Sequence, residues 1–149
     1  MTIIEALKDY IKQCPFLKSF NEVITVNVDF SNTENANTYS INETICNPVI
    51  KTYIGGSTDR QFIFTFSSVE NYGSDASQEN PNISNLNFYE SFLTWIEDNS
   101  KANILPILQG NKQAEKIEVL THGYLFNNSA DGGTALYQAQ LRLKYEQQK

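Results

Sequence analysis

The sequence predicts an α+β domain with an antiparallel or mixed β-sheet, a long central hairpin and two α-helices packed on one face. Strand-like runs with period-two alternation occur in both halves of the chain, and two helical patterns interrupt them. The pair Gly55-Gly56 separates two β-rich runs. Antiparallel strands with helices between them are typical of α+β domains. The 149 residues suit a single domain, 1–149.

The first helix is predicted over residues 2–14. Thr2 followed by Glu5 is a capping-box pattern, so the helix is expected to begin there. Pro15 disfavours a helical conformation in the residue before it and ends the helix. Apolar side chains recur at three- and four-residue spacing: Ile4, Leu7, Ile11 and Cys14.

Two strands are predicted next. Residues 22–30 alternate between apolar and polar side chains, which indicates a half-buried strand. Residues 31–37 are typical of a polar loop. Residues 38–45 predict a shorter strand, whose Asn and Glu favour an edge position. The apolar face of the first strand comprises Ile24, Val26, Val28 and Phe30.

The central hairpin is predicted over Asn47–Val69. Glycine adopts positive φ without steric cost, so Gly55-Gly56 predicts a tight turn between strands. A phosphate-binding loop is excluded there, because no Lys-Ser or Lys-Thr follows and no helix begins. The second strand places Phe62, Phe64 and Phe66 on one face.

The second helix is predicted over residues 87–99, after a long polar loop at 72–86. Loops of that length in a compact domain are usually functional or mobile. Asn87 with Glu90 is the expected capping pair. The side of the helix expected to face the sheet comprises Phe88, Phe92, Trp95, Ile96 and Asn99.

The last third predicts an irregular stretch and two more strands. The stretch 101–113 is expected to lie on the core. A strand over Lys116–Phe126 follows, in which Gly123 is typical of a bulge. The turn Asn127–Thr134 and the strand Ala135–Tyr145 complete the sheet. The expected anchors of the irregular stretch are Ile104, Leu105, Ile107 and Leu108.

No residue pattern indicates chemistry, so the sequence predicts no catalytic residues, no cofactor and no metal. His122 is the only histidine and is expected at the surface or a strand edge. Cys14 and Cys46 stand far apart without companions, so zinc lacks a ligand set and two free thiols are expected. No G-x-S-x-G elbow supplies a nucleophilic serine. The 17 acidic residues show no spacing that singles out a catalytic pair.

The charge argues against a nucleic-acid-binding surface. The net charge is −6, and Arg60 and Arg142 are the only arginines. Nucleic-acid binding normally needs clustered Lys and Arg. The apolar runs are too short for a transmembrane helix, and the first residues lack the pattern of a secretory signal. The sequence therefore predicts no specific nucleic-acid binding, no membrane partner and a cytoplasmic location.

Contact surfaces are expected on the loops. Binding residues tend to sit on loops carried by a rigid sheet, so the Tyr72–Asn85 loop and the Asn127–Thr134 turn are the interface candidates. The polar face of the last strand is either solvated or a contact between subunits, and exposed faces of this kind are usually solvated. That face comprises Gln138, Gln140, Arg142 and Lys144.

Five stretches carry a resemblance to a known family. They are Thr2–Pro15, Asn47–Phe66 with its core at Gly56–Phe62, Asn87–Trp95, His122–Phe126 and Tyr137–Tyr145. The order of elements resembles the tail-terminator, or head–tail joining, proteins of long-tailed bacteriophages. The local strings resemble small prophage proteins of low-GC Gram-positive bacteria described as minor capsid or minor structural proteins.

The resemblance implies a ring, commonly a hexamer, that caps the finished tail tube and joins it to the head. Its partners would be further copies of itself, the tail tube protein and a head-completion or connector protein. It would occupy the host cytoplasm during assembly and then the virion. An acidic pore lining would let DNA pass without sticking. Two other interpretations stay open: a small-ligand-binding or regulatory α+β domain of the host, and an enzyme that uses carboxylates.

Overall fold

A computed structural model describes residues 2–18, 23–28, 36–71, 81–128 and 133–149. Within them the chain forms two helices and one seven-stranded sheet. In chain order the elements are α1 (Ile3–Ile11), β1 (Thr25–Val28), β2 (Thr38–Thr44), β3 (Val49–Thr52), β4 (Thr58–Asn71), α2 (Pro81–Lys101), β5 (Lys112–Val119), β6 (Tyr124–Asn128) and β7 (Thr134–Gln147).

The sheet is built around the long antiparallel pair of β4 and β7. They stay in register from Thr58 opposite Gln147 to Asn71 opposite Thr134. The short strands β2 and β3 pair with the outer edge of β4, and β5 and β6 pair with the outer edge of β7. β1 lies outside β2 in parallel orientation. The predicted α+β class with a mixed sheet is therefore confirmed.

One face of the sheet carries the core. Phe64 and Phe66 of β4 are fully buried on this face, as predicted. The ring of Phe66 stacks on Phe92 of α2, with centroids 4.3 Å apart. α1 reaches the same core through Tyr10, whose ring lies 5.3 Å from Trp95 of α2. The buried residues of β7 recur at every second position: Ala135, Tyr137, Ala139, Leu141, Leu143 and Tyr145.

α1 begins where the capping pattern predicts and ends early. The Oγ1 of Thr2 accepts a hydrogen bond from the backbone N–H of Glu5 at 3.2 Å. The helix ends at Ile11, three residues before the predicted end. The N–H groups of Gln13 and Cys14 then bond to carbonyls three residues back. Such tightened last turns are common at helix C-termini.

α2 is longer than predicted, because it begins at Pro81, six residues early. Proline is favoured in a first helical turn, where its missing N–H has no intrahelical acceptor. The side chain of Asn85 is buried, and its Nδ2 donates to the carbonyl of Asn71 at 2.8 Å. The predicted loop is therefore wrong for residues 81–86, and the predicted cap at Asn87 is wrong as well. The rest of the predicted loop, residues 72–80, lies outside the described residues.

The polar residues of β2 favoured an edge position in the sheet, and this prediction is wrong for Thr38–Ile41. β1 pairs with β2 along Thr38–Ile41, so this half lies inside the sheet. Only the half Asn42–Thr44 lacks a partner on that side in the part of the chain described. The predicted strand 22–30 is represented by β1, and residues 29–35 lie outside the described ranges.

The single strand predicted over 116–126 is two strands. The pairing of β5 with β7 ends at Val119, opposite Leu141, and β6 resumes it at Tyr124, opposite Gln138. An advance of five residues along this side therefore matches an advance of three along β7. Two residues therefore bulge out of the ladder before Gly123, close to where the glycine predicted an irregularity. β5 also begins at Lys112, four residues earlier than predicted.

The connection between α2 and β5 is anchored by fewer apolar residues than predicted. Leu105 and Leu108 pack against the core, whereas Ile104 and Ile107 are exposed. The hydroxyl of Tyr10 donates to the carbonyl of Ile104 at 3.2 Å. At Ile104 the backbone, rather than the side chain, therefore makes the contact.

Candidate functional site

The hairpin between β3 and β4 ends in an exposed apolar turn, here called the hairpin tip (residues 50–56). The N–H of Tyr53 bonds to the carbonyl of Ser57 at 2.9 Å, and the N–H of Gly56 bonds back to the carbonyl of Tyr53 at 3.0 Å. Gly56 has a φ of 96°, a conformation that favours glycine. The side chain of Ile54 is fully exposed, and Ile50 and Tyr53 are exposed beside it. Exposed apolar residues grouped in this way indicate a contact surface.

Two lysines accompany the hairpin tip. The Nζ of Lys51 lies 4.8 Å from the ring centroid of Tyr53, within cation–π range. The side chain of Lys149 lies against Gly56, since a Cβ added there would fall 3.2 Å from its Cγ. The hydroxyl of Tyr53 donates to Asp59 at 2.6 Å, which fixes its ring against the strand behind the turn. The most exposed side chain of the hairpin tip is therefore apolar, and two lysines and the carboxylate of Asp59 lie beside the turn.

Three carboxylates converge on the sheet behind the hairpin. Oxygens of Asp59, Glu115 and Glu146 lie within 4.8 Å of one another. Asp59 and Glu146 are directly opposite on β4 and β7, and a one-residue bulge in β5 brings Glu115 beside them. Partial burial and then the charge of Asp59 raise the pKa of Glu115. Carboxylate oxygens suit hard cations such as Ca²⁺, but exposed acids often lie this close without one.

An apolar groove of about 420 Å³ lies between α2 and the connection from β5 to β6. Glu90 and Glu97 line it from α2 and are exposed, and His122 lines it from the connection. Small-molecule sites commonly have volumes of roughly 300–1,000 Å³, so the groove is large enough to receive a side chain or a ligand. Its apolar lining includes Leu86, Leu93 and Val119.

Tyr89 and Gly123 bring the walls of the groove together. The buried hydroxyl of Tyr89 donates to the carbonyl of Tyr137 at 2.8 Å and lies 2.8 Å from the Oγ of Ser68. These bonds hold α2 on the sheet, and burial raises the pKa of this hydroxyl. A Cβ at Gly123 would overlap the side chain of Tyr89. Only glycine lets the connection approach α2 this closely.

The sheet face opposite the core carries an ion-pair network centred on Glu118. This carboxylate accepts a hydrogen bond from the Nε of Arg142 at 2.9 Å, and it lies 2.9 Å from the Nζ of Lys116 and 3.6 Å from that of Lys144. The hydrogen bond from Lys116 and then those from Arg142 lower the pKa of Glu118 to about 2. Two residues of the polar face predicted for the last strand, Arg142 and Lys144, thus pair within the chain.

The chemistry-bearing residues noted in the sequence stay apart from one another. His122 is exposed beside the groove, which agrees with its predicted surface position. Cys14 is buried and Cys46 half-buried, and both are free thiols as expected. Of the two predicted interface loops, Tyr72–Asn85 and Asn127–Thr134, residues 72–80 and 129–132 lie outside the described residues, and residues 81–85 belong to α2.

Comparison with known proteins gives no match, either to a protein-family model or to a curated protein sequence. In the described part of the chain, no helix combines the length and apolarity needed to cross a membrane. The features of the described residues that bear on function are the hairpin tip, the groove and the charged groups around them.

Proposed function

We propose that this chain is a non-enzymatic structural protein of a phage or prophage particle, a tail-terminator-like ring subunit at the head–tail junction. Its partners are further copies of itself, the tail tube protein and a head-completion or connector protein. It occupies the host cytoplasm during assembly and then the virion. The sequence resemblance supports this proposal, and the exposed apolar hairpin tip is the structural observation that carries it.

The hairpin tip supports self-assembly on energetic grounds. The side chain of Ile54 is fully exposed to water in the single chain. Burying an isoleucine side chain stabilises a contact by about 1.5–3 kcal/mol. The tip leads into β4, which forms a long, regular pair with β7, and contact residues are commonly carried by a turn on a rigid sheet.

The acidic character of the chain is consistent with DNA passing through a ring. The net charge is −6, and three carboxylates crowd together at Asp59, Glu115 and Glu146. An acidic lumen would repel the phosphate backbone and prevent adhesion. Charge mapped onto the assembled ring tests this point, and a basic lumen would count against it.

Assembly is tested by size-exclusion chromatography with light scattering at several protein concentrations, followed by negative-stain electron microscopy. We expect species larger than the 16.9 kDa monomer, and rings in the images. Ile54→Asp should shift the distribution to monomer, because a charge cannot be buried in an apolar contact. Ile107→Asp is the matched control, since Ile107 is an exposed isoleucine elsewhere. A wild-type monomer at every concentration contradicts the proposal.

The groove favours one alternative, a small-ligand-binding or regulatory domain of the host. Its volume of about 420 Å³ and its apolar lining suit a small molecule with one or two polar groups. A ligand that binds only the folded state raises the thermal midpoint. Thermal stabilisation by a metabolite, without any assembly, would favour this alternative.

A further inference from the structure

The hairpin tip and the groove lie at opposite edges of the sheet. β3 pairs with the outer edge of β4, whereas β5 and β6, whose connection lines the groove, pair with the outer edge of β7. A contact between the tip of one copy and the groove of another would join two different surfaces. The pair then keeps one free tip on one copy and one free groove on the other, so the association continues into a ring or a filament.

We propose that the hairpin tip of one copy docks into the groove of a second copy. Ile54 inserts among the apolar residues Leu86, Leu93 and Val119. This inference rests on the proposed function, because it identifies the contact through which the subunits join.

Apolar surface is exposed on both sides of this contact. Ile54 is fully exposed, and Leu86 is 48% exposed at the groove. The groove has about 420 Å³ of space between α2 and the β5–β6 connection. Docking would remove both side chains from water, which favours association through the hydrophobic effect.

The hairpin tip carries two lysines and the groove carries two glutamates, while the carboxylates of Asp59, Glu115 and Glu146 lie on the sheet behind the tip. Lys51 and Lys149 accompany the hairpin tip. Glu90 and Glu97 are exposed along the groove. Opposite charges at the rim of an apolar contact steer the approach and disfavour wrong partners. The tip of a second copy therefore matches the groove in apolarity, and its two lysines can face the two glutamates of the groove.

The contact is tested directly by photo-crosslinking of the full-length chain. A p-benzoylphenylalanine replaces Ile54, the protein is irradiated at high concentration, and the attachment sites are mapped by mass spectrometry. We expect attachment to another copy within Leu86–Glu97 or Val119–Gly123. The same probe at position 107 is the control and should not label the groove. Attachment elsewhere, or none, overturns the inference.

A mixing experiment tests whether two different surfaces meet. Ile54→Asp replaces the exposed apolar side chain of the hairpin tip with a charge. Leu86→Asp does the same at a half-exposed residue of the groove that is not part of the core. Each variant alone should be monomeric. Their mixture should form a 1:1 dimer of about twice 16.9 kDa, because each variant retains one intact surface. Circular dichroism confirms that both variants are folded, and a mixture of folded variants that stays monomeric contradicts the inference.

The outcomes separate this inference from the proposed function. If the wild type forms rings and Ile54→Asp still forms them, the docking is wrong and the ring proposal stands. If the tip labels the groove but only open filaments form, the docking stands and the ring proposal fails. A wild-type chain that stays monomeric and gives no crosslink overturns both.

Discussion

At the scale of single residues, Gly123 is the position where packing most plainly excludes a side chain. It lies against Tyr89, whose hydroxyl holds α2 to the sheet through Ser68 and Tyr137. A substitution must therefore move either the connection or the helix. Because both line the groove, the effect extends from packing to the candidate contact surface.

Gly123→Ala should lower the free energy of unfolding by about 1–3 kcal/mol, the usual cost of overpacking. Urea denaturation followed by circular dichroism measures the change. Gly55→Ala is the matched control, because an added Cβ there has no atom within 4 Å and its φ is not positive. We expect less than about 0.5 kcal/mol for the control. Equal losses in the two variants would contradict the packing argument.

Asp59→Asn should lower the pKa of Glu115 towards its ordinary value, because it removes a neighbouring charge that raises it. The amide oxygen of Asn can still accept the hydrogen bond from Tyr53. With a raised pKa, Glu115 contributes most stability while protonated, and this is lost as the pH rises through its folded pKa. The variant should lose less stability over that range. NMR titration of the Glu115 carboxyl measures the shift, and Glu90→Gln should leave it unchanged.

The residues that could be predicted from the sequence are those placed by local periodicity. The alternation of Phe64 and Phe66 gave their side of the sheet correctly. The carboxylate trio could not be predicted, because Asp59, Glu115 and Glu146 come from three strands and a bulge sets one of them. Asn85 was missed because a buried amide on a helix has the same sequence signal as a loop residue.

At the scale of elements, the sheet face opposite the core is stabilised by charge on β5 and β7. Glu118 lies within ion-pair distance of Lys116, Arg142 and Lys144, so one carboxylate attracts three cations that would otherwise repel one another. Its pKa of about 2 lies below its ordinary value of 4.5. The stability that it contributes is fully present above pH 4.5 and is lost as the pH falls through 2.

Glu118→Gln should make the protein less stable at pH 7, and its stability should fall less steeply between pH 4.5 and 2 than that of the wild type. Chemical denaturation at a series of pH values measures this. Glu43→Gln serves as the control, since it removes an exposed carboxylate of β2 outside the network. Parallel curves for wild type and Glu118→Gln would show that the network contributes nothing.

The boundaries of the elements were predicted less well than their existence. The early start of α2 at Pro81 was hidden, because its first turn carries few apolar residues. The break between β5 and β6 is a tertiary effect, since both segments pair with β7 and Gly123 passes close to α2. The sequence pattern of residues 112–128 cannot show that pairing with β7 leaves two extra residues between β5 and β6.

At the scale of the whole molecule, the α+β class followed from the alternation of strand and helix patterns. The parallel pairing of β1 with β2 could not be predicted from the patterns of the separate elements, because it depends on how the segments meet in the folded chain. The groove could not be predicted from these patterns either, since its walls come from α2 and from the β5–β6 connection.

Self-association should make the thermal midpoint, Tm, depend on protein concentration. A partner that binds only the folded state adds stability by mass action, so the Tm of the wild type should rise with concentration. Ile54→Asp should remove this dependence, whereas Ile107→Asp should keep it. High salt should reduce it, because exposed charge pairs are screened. Differential scanning fluorimetry over a hundredfold concentration range measures the effect.

The long β4–β7 pair also has a kinetic consequence. Its two strands are distant in the chain, and even the closest pair, Asn71 opposite Thr134, spans 63 positions. Closing so large a loop costs entropy before any of the ladder forms, so such topologies fold in milliseconds to seconds rather than microseconds. Until the loop closes, β4 lacks its partner β7 along one edge, and newly made chains are then at their greatest risk of aggregating.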